Sequence, residues 1–131
     1  MIEDLKALEV ITFFVENLAA TKIFYADIFN AKIIYEDAVS CVFKLGNVMI
    51  NLLQASEVPG LIAPAQDAKA GSGARALFTI NVEDVESVCA ALGKRGVKLV
   101  NGPINRPWGR RTATFADPAG NLWEVAQNLP Q

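Results

Sequence analysis

Hydrophobic and polar residues follow one another along this chain in two similar rounds. Residues 8–15 form a near-continuous apolar run, short and rich in β-formers, which predicts a strand. Asn17 stands where it can cap a following helix. Phe24 with Ile28, and Tyr25 with Phe29, are i,i+4 pairs that give that helix a packed face, and Asn30 suits its C-terminus. Strands are predicted over 32–35, 39–45 and 48–54, the last two joined by the short-turn dipeptide Gly46-Asn47. Residues 55–73 break the pattern with Pro59, Gly60, Pro64, Gly71 and Gly73. Connections this long in a small domain are usually functional or mobile, and Val58, Leu61 and Ile62 predict that this one lies over a surface or a pocket. The pattern then restarts with a strand over 77–82 and Asp84 as a second helix cap. Val85, Val88, Cys89 and Leu92 fall at i, i+3, i+4 and i+7, an amphipathic helix. Glu86 in its first turn, Lys94 and Arg95 in its last, and the stop at Gly96 suit the helix dipole and a left-handed end. Strands over 97–100, 111–116 and 122–127 complete the round, and Asp117-Pro118-Ala119-Gly120 fits a type I turn.

The two rounds also match residue for residue. Val15-Glu16-Asn17 answers Val82-Glu83-Asp84, Lys32-Ile33 answers Lys98-Leu99, and Gly46-Asn47-Val48 answers Gly120-Asn121-Leu122. This is an internal duplication. The fold class it predicts is α+β: two tandem βαβββ units, about 5–54 and 74–128, linked by 55–73 within one domain covering 1–131. The units should form a curved, open mixed sheet around a cleft, with the helices outside. Ligand sites favour such junctions between modules.

Composition narrows the chemistry. The chain has 131 residues, 52% of them hydrophobic, enough for a packed core. With 12 basic against 14 acidic residues and a net charge of -2, it lacks the basic footprint of a nucleic-acid binder. No uncharged apolar run approaches the roughly 20 residues that cross a bilayer, and Glu3 and Asp4 stand where a signal peptide carries positive charge. A cytoplasmic location is expected. Cys41 and Cys89, the two cysteines, lie in hydrophobic runs and are expected to be buried, reduced thiols. There is no histidine, so the commonest general base and metal ligand is missing. Gly71-Ser72-Gly73 lacks the pattern of a phosphate loop, and no GxSxG elbow occurs.

Phe24-Tyr25 in the first helix, the paired units, and the run from Trp108-Gly109-Arg110-Arg111 through Asp117-Pro118-Ala119-Gly120-Asn121-Leu122-Trp123-Glu124 resemble the vicinal oxygen chelate superfamily. That group holds glyoxalase I, extradiol dioxygenases, fosfomycin-resistance enzymes and bleomycin-resistance proteins, and the chain is closest in appearance to the last. The resemblance implies that metal-dependent members take ligands early in each unit's first strand and on each unit's last strand. Carried over through the matched residues, these points fall at Val10, Leu77, Ile50 and Glu124. Only Glu124 is a plausible ligand, so the resemblance implies a lost metal site and no cofactor.

The expected ligand-binding surface therefore comprises Val10, Thr12 and Phe14 on one face of the first strand, Ile50, Leu77 with Thr79, and Glu124. A lone carboxylate on an apolar surface is costly to desolvate unless an arginine answers it; Arg111 and Arg75 are the expected partners. Trp108 is expected either to line the cleft, as a similar segment does in bleomycin-resistance proteins, or to pack the core edge. Trp123 alternates away from Glu124 and is expected to pack under a helix. Arg110 and Arg111 offer charge to an anionic ligand, although strand arginines of this kind more often read as solvated.

The function expected is metal-independent binding of a small molecule, such as an antibiotic or an aromatic compound. The alternative is a lyase or related enzyme of the same superfamily with Glu124 as its acid or base. Open sheet edges further predict a homodimer.

Overall fold

The structure, a computed structural model, describes residues 2–131. Its contacts divide the chain into two compact units, Met1–Lys69 and Ala70–Gln131.

In the first unit the elements are β1 (Val10–Val15), α1 (Leu18–Ile28), β2 (Ile33–Glu36), β3 (Ser40–Leu45) and β4 (Val48–Gln54). They form a four-stranded sheet in the order β1-β4-β3-β2. β1 runs parallel to β4, and the other pairings are antiparallel. Asn17 caps α1 by accepting from Ala20 N at 3.0 Å. Tyr25 explains why α1 lies where it does. Its buried ring sits 5.1 Å from Phe29 and 5.2 Å from Phe43 of β3, a burial that contributes roughly 1.5–3 kcal/mol. Asn30 ends the helix in the left-handed region at φ 51°, where asparagine is tolerated. Gly46, at φ +61°, opens the two-residue turn between the paired Leu45 and Val48.

The second unit repeats the plan with β5 (Leu77–Asn81), α3 (Val85–Lys94), β6 (Leu99–Arg106), β7 (Arg110–Ala116) and β8 (Leu122–Asn128), in the order β5-β8-β7-β6. β5 is again parallel to β8. Asp84 caps α3 through Ser87 N, and Gln127 of β8 accepts from Val85 N at 2.9 Å, tying the helix start to the sheet. Asp117, 5% exposed, builds the turn before β8: one carboxylate oxygen accepts from Ala119 N and Asn121 N, the other from the Asn121 amide. Two open four-stranded sheets, each with its own helix on one face, are the α+β repeat that the hydrophobic pattern predicts. Among the described residues, no helix is long and apolar enough to cross a membrane.

Two segments depart from expectation. The connection after β4 is not irregular throughout, because Ala55–Glu57 forms a 3-10 turn and Pro59–Ile62 a one-turn helix, α2. Val58 between them is fully buried, while Leu61 is exposed. The larger departure is β6. Glycine and proline weaken a strand, which is why the sequence pattern ends it at residue 100. It instead continues through Asn101-Gly102-Pro103 to Arg106 by two shifts of register. Gly102 makes this possible. At φ +91° it passes so close to β7 that an added Cβ would lie 2.5 Å from the carbonyl oxygen of Thr112 and 2.7 Å from Ala113 Cα. Such bulges bend a strand and re-aim the residues beyond them, here the hairpin that joins β6 to β7.

Gly102→Ala should accordingly cost about 2–4 kcal/mol, combining overpacking with a left-handed residue that carries a Cβ; urea unfolding would measure it. A second expectation concerns Asp37 in the β2–β3 turn. Its carboxylate accepts from Val39 N, from Ser40 N and Oγ, and from the Tyr35 hydroxyl. These bonds, the Val39 amide foremost, hold its pKa below the ordinary 3.8. A depressed carboxylate contributes stability that is present above the ordinary value and fades as pH falls through the lower folded one. The gap in melting temperature between the protein and Asp37→Asn should therefore be open at pH 7 and close below about pH 3.8.

Candidate functional site

Period-two alternation assigns each strand residue to one of two faces, and the registers say which residues share them. In the first unit α1 covers the face bearing Ile11, Phe13, Val15, Phe43, Ile50 and Leu52, most of them buried. The face turned away from α1 carries Val10, Thr12 and Phe14 on β1, opposite Met49, Asn51 and Leu53 on β4. In the second unit α3 lies over Phe78, Phe115, Trp123 and Val125, and Trp123 packs on Phe78 at 5.6 Å. The face turned away from α3 carries Leu77, Thr79 and Asn81, opposite Leu122, Glu124 and Ala126.

Each unit thus brings a first-strand threonine beside a polar side chain of its last strand. Thr79 donates to Glu124 Oε1 at 2.8 Å. Thr12 Oγ1 accepts from Asn51 Nδ2 at 3.5 Å, and Asn51 Oδ1 is buried without a partner. Val10, Thr12 and Phe14 share one surface, as do Leu77, Thr79 and Glu124.

Ile50 and Arg111 do not lie on these surfaces, and the expectation for both is corrected. Ile50 pairs with Ile11 and is 1% exposed on the α1 side. The position equivalent to Glu124 is Asn51, because Asn51 is the register partner of Thr12 as Glu124 is of Thr79. Matching the two Gly-Asn pairs slips the alignment by one residue, since a two-residue turn precedes β4 and a five-residue connection precedes β8. A slip of one residue transfers a side chain to the other face. Arg111 points toward α3, where its guanidinium meets Glu86 and also donates to Asn105 Oδ1. It is not the partner of Glu124; Thr79 is the residue hydrogen-bonded there, and Arg75 is exposed.

Trp108 packs no core edge. It is 67% exposed at the tip of the β6–β7 hairpin. The hairpin also places Arg106 directly opposite Arg110, on the same face as Thr112, Thr114 and Glu124 by the β7–β8 register. Arg106 Nε donates to Thr112 Oγ1 at 3.0 Å, and Arg110 Nη2 donates to Asn81 Oδ1 at 2.8 Å and to the Ala126 carbonyl at 3.0 Å. Arg106 and Asn81 went unnoticed in the sequence; counting back by twos from Glu124 across a five-residue connection would have put Arg110, rather than Arg111, on this face.

A separate open depression of about 440 Å3 lies at the start of α1, bordered by Glu16, Asn17, Lys22, Asp37 and Gln54. Lys22 there is already paired with Glu36 at 2.9 Å, and Asp37 is consumed by its turn. Both cysteines are free thiols, Cys41 buried and Cys89 half-buried. Burial pushes both thiols up in pKa, which disfavours the nucleophilic thiolate.

The donor set can be tested against the metal that the resemblance implies. Val10 and Leu77 have no donor atom, and Ile50 is sealed beneath α1. The corrected register adds only the amide oxygen of Asn51 to the carboxylate of Glu124. Catalytic zinc takes three protein ligands from His, Cys or carboxylate, and hard cations take several oxygens. Among the described residues no group of three or more such side chains converges. These residues do not fit the ion.

Comparison with known proteins agrees with the architecture. The uncharacterized protein YraH of Bacillus subtilis (strain 168) is 32% identical over 89 residues, 66% of this chain and 70% of its own. A glyoxalase/bleomycin resistance protein/dioxygenase from Nocardioides superposes with a TM-score of 0.85 at 19% identity, covering 95% of this chain and 84% of that one. Lactoylglutathione lyase from Agrobacterium tumefaciens superposes at 0.74 with 22% identity over 92% of each chain. At these identities the two structures speak for the fold alone. Residues 7–125, spanning both units, match the sequence pattern of the Glyoxalase/Bleomycin resistance protein/Dioxygenase superfamily, and the chain belongs to that superfamily.

Proposed function

We propose that this chain is a metal-independent binder of a small, partly apolar or aromatic molecule, and that the strand face turned away from the helix within a unit supplies the binding surface. The observation that carries this reading is the residue content of that face in the two units. Where metal-dependent relatives place ligands, Val10 and Leu77 offer hydrocarbon, and Asn51 and Glu124 offer isolated hydrogen-bonding groups. Apolar walls with a few convergent polar groups are what small-molecule sites require. Half-buried Phe14 and Met49 extend the apolar surface in the first unit, with Leu53 buried beside them, and half-buried Leu122 does so in the second. Glu124, steadied by Thr79, would orient a ligand through its donors.

A second reading rests on that same bond. A half-buried carboxylate with one oxygen fixed by a hydroxyl can serve as a general acid or base, a role worth about a hundredfold or more. Glu124→Gln separates the two: an enzyme loses turnover, whereas a binder keeps much of its affinity.

Titrating tag-free protein with nickel, cobalt, zinc, manganese and iron(II) by calorimetry should give no tight stoichiometric binding. A panel of glycopeptide, quinone and aromatic compounds should contain one that raises the melting temperature by several degrees, since ligand at about 100 times Kd stabilises by about 2.7 kcal/mol. Tight binding of any of these metals, or silence across the whole panel, would overturn the reading.

The homodimer belongs to the same proposal. Edge strand β2 leaves Ile33, Ile34 and Tyr35 exposed, and apolar sheet edges of this kind favour association. Light scattering at micromolar concentration should give twice the chain mass; a monomer would remove this part.

A further inference from the structure

We infer that Arg106 and Arg110 form an oxyanion subsite at the end of the second sheet, so that the small molecule carries a carboxylate or phosphate group on an apolar body. The inference deepens the binding reading above and rests on it. Its basis is an unneutralised pair of charges. The two arginines are direct cross-strand partners, an arrangement that destabilises a sheet when both members carry the same sign. Neither is paired with a carboxylate among the described residues. Arg110 is anchored by a side-chain amide and a backbone carbonyl, Arg106 by a threonine hydroxyl, all of them neutral acceptors. Arg111, one residue away on the other face, shows the contrast, because Glu86 neutralises it.

The anchoring holds the guanidiniums in place without using them up. Each has five N–H donors. Arg106 spends one of them on Thr112, and Arg110 spends Nη2 on Asn81 and Ala126, leaving Nη1. Arg110 Nε is itself buried with no acceptor, so the protein leaves this cation under-served. The nearest acid on this face of β8 is Glu124, four residues from Asn128, the register partner of Arg110; at strand rise that is roughly 13 Å. Two fixed, uncompensated guanidiniums suit an oxyanion, which they can grip through several charge-assisted bonds.

The apolar half of the ligand is indicated by the neighbours. Ile104, paired with Thr112 and 39% exposed, lies two residues before Arg106, and the Trp108 indole stands exposed between the two arginines in sequence. Trp108 is not on a loose loop. Gly109 N donates to the Arg106 carbonyl at 3.1 Å and the Gly109 carbonyl accepts from Leu129 N at 2.9 Å, which fastens the turn to the sheet end. A large ring held out in this way beside cations can cover a flat apolar group.

The test titrates the tag-free full chain with benzoate, phenyl phosphate, inorganic phosphate and neutral benzamide by calorimetry at low salt. Benzoate or phenyl phosphate should bind, the tighter of the two naming the oxyanion, with benzamide and inorganic phosphate each at least about tenfold weaker. Arg106→Gln and Arg110→Gln should each weaken the anion roughly ten- to a hundredfold and leave benzamide unmoved. Arg110→Lys, which keeps the charge but loses the fork, should fall between, and circular dichroism checks that each variant is folded. Equal affinity for benzoate and benzamide, or affinities indifferent to both arginine variants, would overturn the subsite while leaving the metal-free binder standing. Tight metal binding in the earlier titration would instead remove that broader reading, with the arginine result read on its own.

Discussion

The parallel pairing of each unit's first strand with its last is the constraint on which the rest depends. Because the intervening hairpin must return to lie beside β1 or β5, residues 39 and 45 positions apart in sequence become neighbours: Thr12 beside Asn51, Thr79 beside Glu124. The same registers decide which side chains go under a helix. Phe13, Ile50 and Leu52 are driven beneath α1, and Phe78, Trp123 and Val125 beneath α3. The other faces carry the remaining side chains, Thr12 with Asn51 in the first unit and Thr79 with Glu124 in the second among them. Which side chains pack under a helix and which stand on the opposite face are thus two outcomes of a single choice of register.

Most of the architecture was legible in the sequence because it is written in local signals. Asn17 and Asp84 announce the helix starts, Gly46 a tight hairpin, and Asp117 to Gly120 a turn. The candidate site was less legible, and for one reason: faces are kept along a strand but not across a connection. Leu77, Thr79 and Glu124 could be grouped correctly because the duplication relates the first strands and the position of Glu124 is marked by its neighbours. Ile50 and Arg111 went to the wrong face because two connections of different length were treated as equivalent or left uncounted. The extension of β6 beyond residue 100 was hidden by Gly102 and Pro103, residues that ordinarily end strands and here bend one.

The duplication has not produced equal halves. At corresponding positions the first unit carries an amide, Asn51, and the second a carboxylate, Glu124. The first unit's face is largely hydrocarbon around Phe14, Met49 and Leu53, whereas the second bears Arg106, Arg110 and Asn81. One framework therefore presents an apolar surface in one copy and a charged one in the other. Membership of a fold family leaves such differences open: the residues that keep each sheet together lie under its helix, and the two copies diverge on the faces opposite.

Gly102 lets β6 pass close to the backbone of β7 at Thr112 and Ala113, and the hairpin beyond it is held further by Arg106 on Thr112 and by Arg110 on Asn81 and Ala126. The close approach itself involves Gly102, Thr112 and Ala113 and none of the residues at 106, 108 and 110. Exchanges at those three positions leave that approach untouched, so descendants of this chain could vary the side chains of the tip without first renegotiating the bend that carries it.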